Sequence, residues 1–115
     1  MNRRAYTPEE IALSTAAMAR SENDLLLDLG ILLAGPGASR DGDPDDLLGR
    51  ANNWFDRNRR EMAKRLCGHP DLQQLTDGIV DASAVADLIA DLTGKTAGYT
   101  VAAIILKRGL NWLCG

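Results

Sequence analysis

The sequence predicts an all-α fold, a compact bundle of five or six short helices with an apolar C-terminal helix in its core, and three observations carry that expectation. Aromatic side chains are confined to Tyr6, Trp54, Phe55, Tyr99 and Trp112, so the core must be built from Leu, Ile, Val and Ala, a set that suits helix packing better than a β-sandwich. Helix-start signals recur at Thr7-Pro8, Ser21-Glu22 and Asp43-Pro44. Apolar residues repeat at helical spacing over 44–66 and lie nearly all round the helical wheel over 97–113.

Taken in order, Thr7-Pro8-Glu9-Glu10 reads as a capping box with proline at the first helical position. Ile11, Ala12, Ala16, Met18 and Ala19 then define the inward side of a first helix ending near Arg20. Ser21 caps a second helix whose apolar run covers Leu25 to Leu33. A β reading of that run is possible, but it has no β-branched or aromatic enrichment beyond Ile31. Gly30 within it either weakens the helix by about 1 kcal/mol or lets another backbone come close.

Gly35 to Pro44 is a loop rich in Gly, Pro and Asp. Asp43 caps a third helix that runs to about Leu66, with Asp45 and Asp46 in its first turn, where the helix dipole favours anions. On this best-patterned segment Leu47, Leu48, Ala51, Trp54, Phe55, Met62 and Leu66 share an apolar arc, into which Asn58 and Arg65 also project. Gly68 and His69-Pro70 stop it. A short fourth helix is expected over Pro70 to Leu75, with a break at Thr76-Asp77-Gly78. Asp81-Ala82-Ser83 opens a fifth, with Val85, Leu88, Ile89 and Leu92 inward and Gly94 as its stop. A sixth spans about Ala97 to Leu113, its polar sector reduced to Lys107, Arg108 and Asn111.

With 115 residues, 45% of them apolar and 25% charged, the chain fits one helical domain over 1–115 that buries a core without disulfides. Such a domain also fits one module of a longer polypeptide. The apolar runs fall short of the roughly 18 residues a membrane span needs. The N-terminus reaches Pro8-Glu9-Glu10 where a signal peptide would have its apolar region. Two cysteines, Cys67 and Cys114, read as reduced thiols of a cytoplasmic chain, able to pair only if the fold brings their Cα atoms within about 7 Å.

The net charge of −3 conceals a segregation along the chain. Segment 22–46 carries seven acids against Arg40, a balance of −6, and segment 47–66 carries six bases against Asp56 and Glu61, a balance of +4. An acidic chain is a poor general nucleic-acid binder, although a local basic face remains.

The motifs that would announce chemistry are incomplete. Thr93-Gly94-Lys95-Thr96 resembles the end of a phosphate-binding loop, but Ile89 stands where its first glycine belongs. Asp41, Asp43 and Asp45 are spaced as in a calcium loop, yet Asp46 and Asn52 occupy the positions that require Gly and a bidentate Glu. Cys67-Gly68-His69 with a distant Cys114 lacks the four ligands of a zinc site, and as a Cys–His nucleophile pair it has no marked oxyanion site. Asp77, Asp81, Asp87 and Asp91 read as a solvated face. No cofactor, metal or catalytic set is therefore expected.

Two features point to a partner. Arg50, Arg57 and Lys64 recur every seven residues, with Arg60 on the same flank, forming a basic stripe beside the apolar arc. Trp112 near the end of the apolar last helix is an aromatic anchor. The expected function is a non-enzymatic protein–protein interaction or adaptor module using Arg50, Arg57, Arg60, Lys64 or Trp112, with a protein partner or self-association. A small nucleic-acid-binding regulator using the same stripe is the alternative, and an enzyme with an unrecognised carboxylate or Cys/His site ranks last.

Overall fold

In a computed structural model describing residues 6–35, 43–69, 72 and 78–114, the chain forms six helices and, among those residues, no strand. They are α1 (Pro8–Met18), α2 (Glu22–Ala34), α3 (Pro44–Leu66), α4 (Gly78–Thr93), α5 (Lys95–Arg108) and α6 (Leu110–Cys114). None is long and apolar enough to cross a membrane among the described residues. One hydrophobic cluster draws side chains from all six, which makes the molecule a compact all-α bundle.

The caps form as the local sequence dictates. Thr7 Oγ1 accepts from the Glu10 amide at 3.1 Å, and the Glu10 carboxylate accepts from the Thr7 amide at 3.0 Å. Ser21 Oγ accepts from the Asp24 amide at 3.1 Å, and Asp43 Oδ1 from the Asp45 amide at 3.0 Å. Each such cap is worth about 1 kcal/mol because it satisfies an amide that the helix leaves unpaired.

α3 buries Leu47, Ala51, Trp54, Phe55, Met62 and Leu66 and leaves Leu48 half-buried, the arc that its periodicity defines. Its start comes up against α2 at Gly30: a Cβ there would lie 2.9 Å from Leu47 Cα and closer still to the Leu47 carbonyl. Of the two roles open to Gly30, the structure uses close backbone approach.

α5 is the central element. Val101 through Ile105 are fully buried, and the helix packs against α4, α2, α1 and α6. The expected continuous last helix is interrupted: Gly109 adopts φ 93°, α5 stops at Arg108, and α6 is a separate short turn. Glycine takes positive φ without a Cβ penalty, so the break falls there. Gly94, at φ 79°, does the same between α4 and α5.

Two further expectations change. In α1 the inward residues are Ser14 and Ala17, while Ala12, Ala16 and Ala19 are exposed. The reason is steric: Ser14 and Ser83 share a buried hydroxyl–hydroxyl hydrogen bond, and such small residues let α1 approach α4 closely. α4 begins at Gly78, so Asp81 lies in its first turn as a buried residue instead of opening the helix from outside. The run 81–86 is buried, so the first half of α4 is interior, while Asp87, Ala90 and Asp91 in its second half are exposed. The short helix expected over 70–75 lies outside the described residues apart from Leu72, which is buried.

Candidate functional site

Cys67 and Cys114 form a disulfide with Cα atoms 5.7 Å apart, which corrects the expectation of two reduced thiols. Sequence separation hid the pair; the fold meets the geometric condition by laying α6 beside the end of α3. The Cys67 sulfur is thereby committed, so the Cys67–His69 pairing offers no thiolate nucleophile in this form. Among the described residues no group of three or more His, Cys, Asp or Glu is placed to hold a metal ion. Thr93 and Gly94 lie at the α4–α5 junction, where the Thr93 hydroxyl donates to the Ile89 carbonyl at 3.2 Å. Asp41 and Asp77 lie outside the described residues.

The basic stripe stands on the outer flank of α3, whose other side is anchored in the core. Arg50 Nε reaches the Asp46 carboxylate at 3.1 Å and Lys64 Nζ reaches Glu61 at 3.9 Å, both between exposed side chains. Exposed pairs of this kind contribute little and leave the cation available. Arg57 and Arg60 are exposed and make no ion pair among the described residues. The acidic residues of α2 do not neutralise this face. Asp28 pairs with Arg20 at 2.6 Å, and Glu22 pairs with Arg108.

Arg65, on the inner flank, behaves differently. Its guanidinium donates to Asp91 on α4 and, at 3.4 Å, to Glu61. The Arg65 hydrogen bond holds the Asp91 carboxyl below its ordinary range, and the same bond raises Arg65 above its own. Asp91 is thus an ion-pair partner on the face expected to be merely solvated. Asn58 donates to the Trp54 carbonyl at 2.9 Å, a local bond within the helix that accounts for its place beside the apolar arc.

Trp112 is half-buried and engaged within the molecule. Its ring meets Phe55 edge-on with centroids 5.7 Å apart. The Arg108 guanidinium lies 4.7 Å from its centroid and that of Arg59 4.9 Å. Arg59 also donates to the Trp112 carbonyl. Five-residue α6 is far too short to persist as an isolated helix, so these contacts and the disulfide hold it in place. Arg59 carries no signal in the sequence that separates it from its basic neighbours; only the docking of α6 does.

A groove of about 370 Å³ opens between the end of α2, the middle of α3 and the α4–α5 junction, with Leu29, Leu32, Leu33, Trp54, Leu92 and Ala97 on its apolar side and Thr93 and Gly94 as polar lining at the junction. Leu32 and Leu33 remain 43% and 38% exposed there. Leu33 also borders a second depression, of about 500 Å³, with Arg50, Asn53, Asp56 and Arg57. The apolar groove and the upper half of the basic stripe therefore adjoin, and Lys64 lies farther down α3. Nothing in the sequence marks this groove, because Leu32 and Leu33 sit in a run that looks uniformly buried. The chain has no significant match among protein-family models, curated proteins or solved structures.

Proposed function

We propose that the chain is a non-enzymatic protein–protein interaction or adaptor module that receives an acidic protein surface on the basic face of α3. One observation carries this reading: Arg57 and Arg60 stand exposed, without ion pairs among the described residues, on a helix whose opposite side is locked into the core. A rigid helix presents charge at fixed spacing, so little ordering entropy is lost when a partner docks. Trp112 is the weaker part of the anchor set, because its ring is already occupied by Phe55, Arg59 and Arg108. In cysteine usage alone the chain reads as cytoplasmic. The Cys67–Cys114 bridge instead favours a compartment in which disulfides persist.

Poly-L-glutamate is the simplest acidic probe. Binding is expected at about 50 mM salt, falling steeply by about 500 mM as the charges are screened, and lost in the Arg57→Glu/Arg60→Glu double variant. No binding at low salt would remove the reading. Light scattering at the same two salts tests self-association, the form the interaction takes if the acidic segment 22–46 of a second copy is the partner. Nucleic acid is the second reading, favoured by the same unpaired arginines. It requires a duplex DNA or RNA to shift at low salt with an affinity that declines linearly in log salt.

A further inference from the structure

The groove beside the stripe specifies the partner more narrowly, and this inference rests on the interaction-module reading. We propose that the groove between α2, α3 and the α4–α5 junction seats the apolar row of an acidic amphipathic helix from a partner protein, with the carboxylates of that helix on Arg50 and Arg57. Leu32 and Leu33 expose large apolar surface at the end of α2, and Trp54 and Leu92 line the space behind them. A cavity of about 370 Å³ lies within the range of ligand-binding clefts and accepts two or three aliphatic side chains.

Charge complementarity selects the acidic partner. The adjoining depression, which shares Leu33, carries Arg50 and Arg57 against the single carboxylate of Asp56. Arg50 is held by Asp46 in an exposed contact that a docking carboxylate can replace at small cost, and Arg57 has no competing ion pair among the described residues. Apolar side chains at spacings of three and four on one helix face, with Glu on the flank, match a groove bordered along one side by cations. A purely anionic polymer would use the arginines and leave Leu32 and Leu33 exposed; an uncharged apolar helix would do the reverse.

The test uses the unaltered full chain and reads binding by the fluorescence anisotropy of a peptide labelled at its N-terminus. The probe is a synthetic peptide of about 20 residues, past the length at which isolated helices are marginal, with Leu three and four apart, Glu on the flank that meets the arginines and Ala elsewhere. A second peptide carries Lys in place of every Glu. The Glu peptide should show a saturable rise in anisotropy and bind at least about tenfold tighter than poly-L-glutamate of equal length, a difference of ~1.4 kcal/mol. Leu33→Asp should weaken it about tenfold or more, as should Arg57→Glu. Leu33 is more than one-third exposed, so that variant keeps its core. Ala97→Phe, which fills the groove from α5, should block binding independently.

Equal binding of the Glu and Lys peptides would overturn the proposal, as would unchanged binding in Leu33→Asp and Ala97→Phe. If poly-L-glutamate binds and the Leu-bearing peptide binds no tighter, the groove inference falls while the basic-face reading stands. If poly-L-glutamate fails to bind, the basic-face reading falls on its own. A dimer by light scattering that Leu33→Asp dissolves would assign the groove to a second copy of the chain and overturn the outside partner.

Discussion

Cys67 and Cys114 join the C-terminal ends of α3 and α6, closing a loop of 47 residues across the molecule. The bridge ties down a helix of five residues that has no stability of its own. Loop-closure reasoning for this span gives about 4 kcal/mol of stabilisation through the unfolded chain. Reduction, or the Cys67→Ser/Cys114→Ser double variant, is expected to lower the urea midpoint by a corresponding amount. Loosening of α6 should also red-shift Trp112 emission, because its ring loses Phe55. An unchanged midpoint on reduction would show that the bridge does not restrict the unfolded chain as loop closure requires.

Gly30 and Gly49 offer a paired test of helix approach. Gly30→Ala places a methyl against the Leu47 backbone and should cost about 1–3 kcal/mol, since backbone must move to admit it. Gly49 lies in α3 with nothing within 4 Å of an added Cβ. Gly49→Ala should therefore stabilise the protein by about 0.4–1 kcal/mol through the unfolded state. Denaturant titration of both variants reads the opposite signs directly.

The Arg65–Asp91 pair predicts a titration. With its folded-state pKa depressed, Asp91 contributes stability that is present above the ordinary carboxylate range and is lost as pH falls through the folded-state value. NMR should find the Asp91 carboxyl titrating below the ordinary carboxylate range. In Arg65→Met it should return to the ordinary range, because the hydrogen bond that lowers it is gone.

Ser14 tests the small-residue contact between α1 and α4. Removing one partner of a buried hydroxyl pair, as in Ser14→Ala, should cost about 1 kcal/mol. Ser14→Val adds bulk where the two helices nearly touch and should cost about 1–3 kcal/mol. Thermal melts of the two variants separate lost hydrogen bonding from overpacking: a Val variant no less stable than the Ala variant would mean that α1 can shift to make room.

The local signals were legible where their physics is local. Thr7, Ser21 and Asp43 cap the helices they precede because the bonds involved span only two or three residues. The apolar arc of α3 was legible because one long amphipathic helix has a single inward direction. Arg50, Arg57, Arg60 and Lys64 share a flank for the same reason of helical geometry, although their partner is not encoded in that spacing.

Residue type misled where small side chains decide the packing. Ser14 and Ser83 look polar and Ala12 and Ala16 apolar, yet the serines are buried and the alanines exposed. Closeness of approach between α1 and α4, instead of hydrophobicity, sets which residues face inward. Helical class, capped helix starts and the amphipathic direction of α3 follow from residue order alone, since they depend on contacts within a few residues. The Cys67–Cys114 bridge, the docking of Arg59 and Arg108 on Trp112, and the groove at Leu32 and Leu33 arise when the helices pack. Those depend on where separate helices come to rest against one another, and no spacing along the chain specifies that distance.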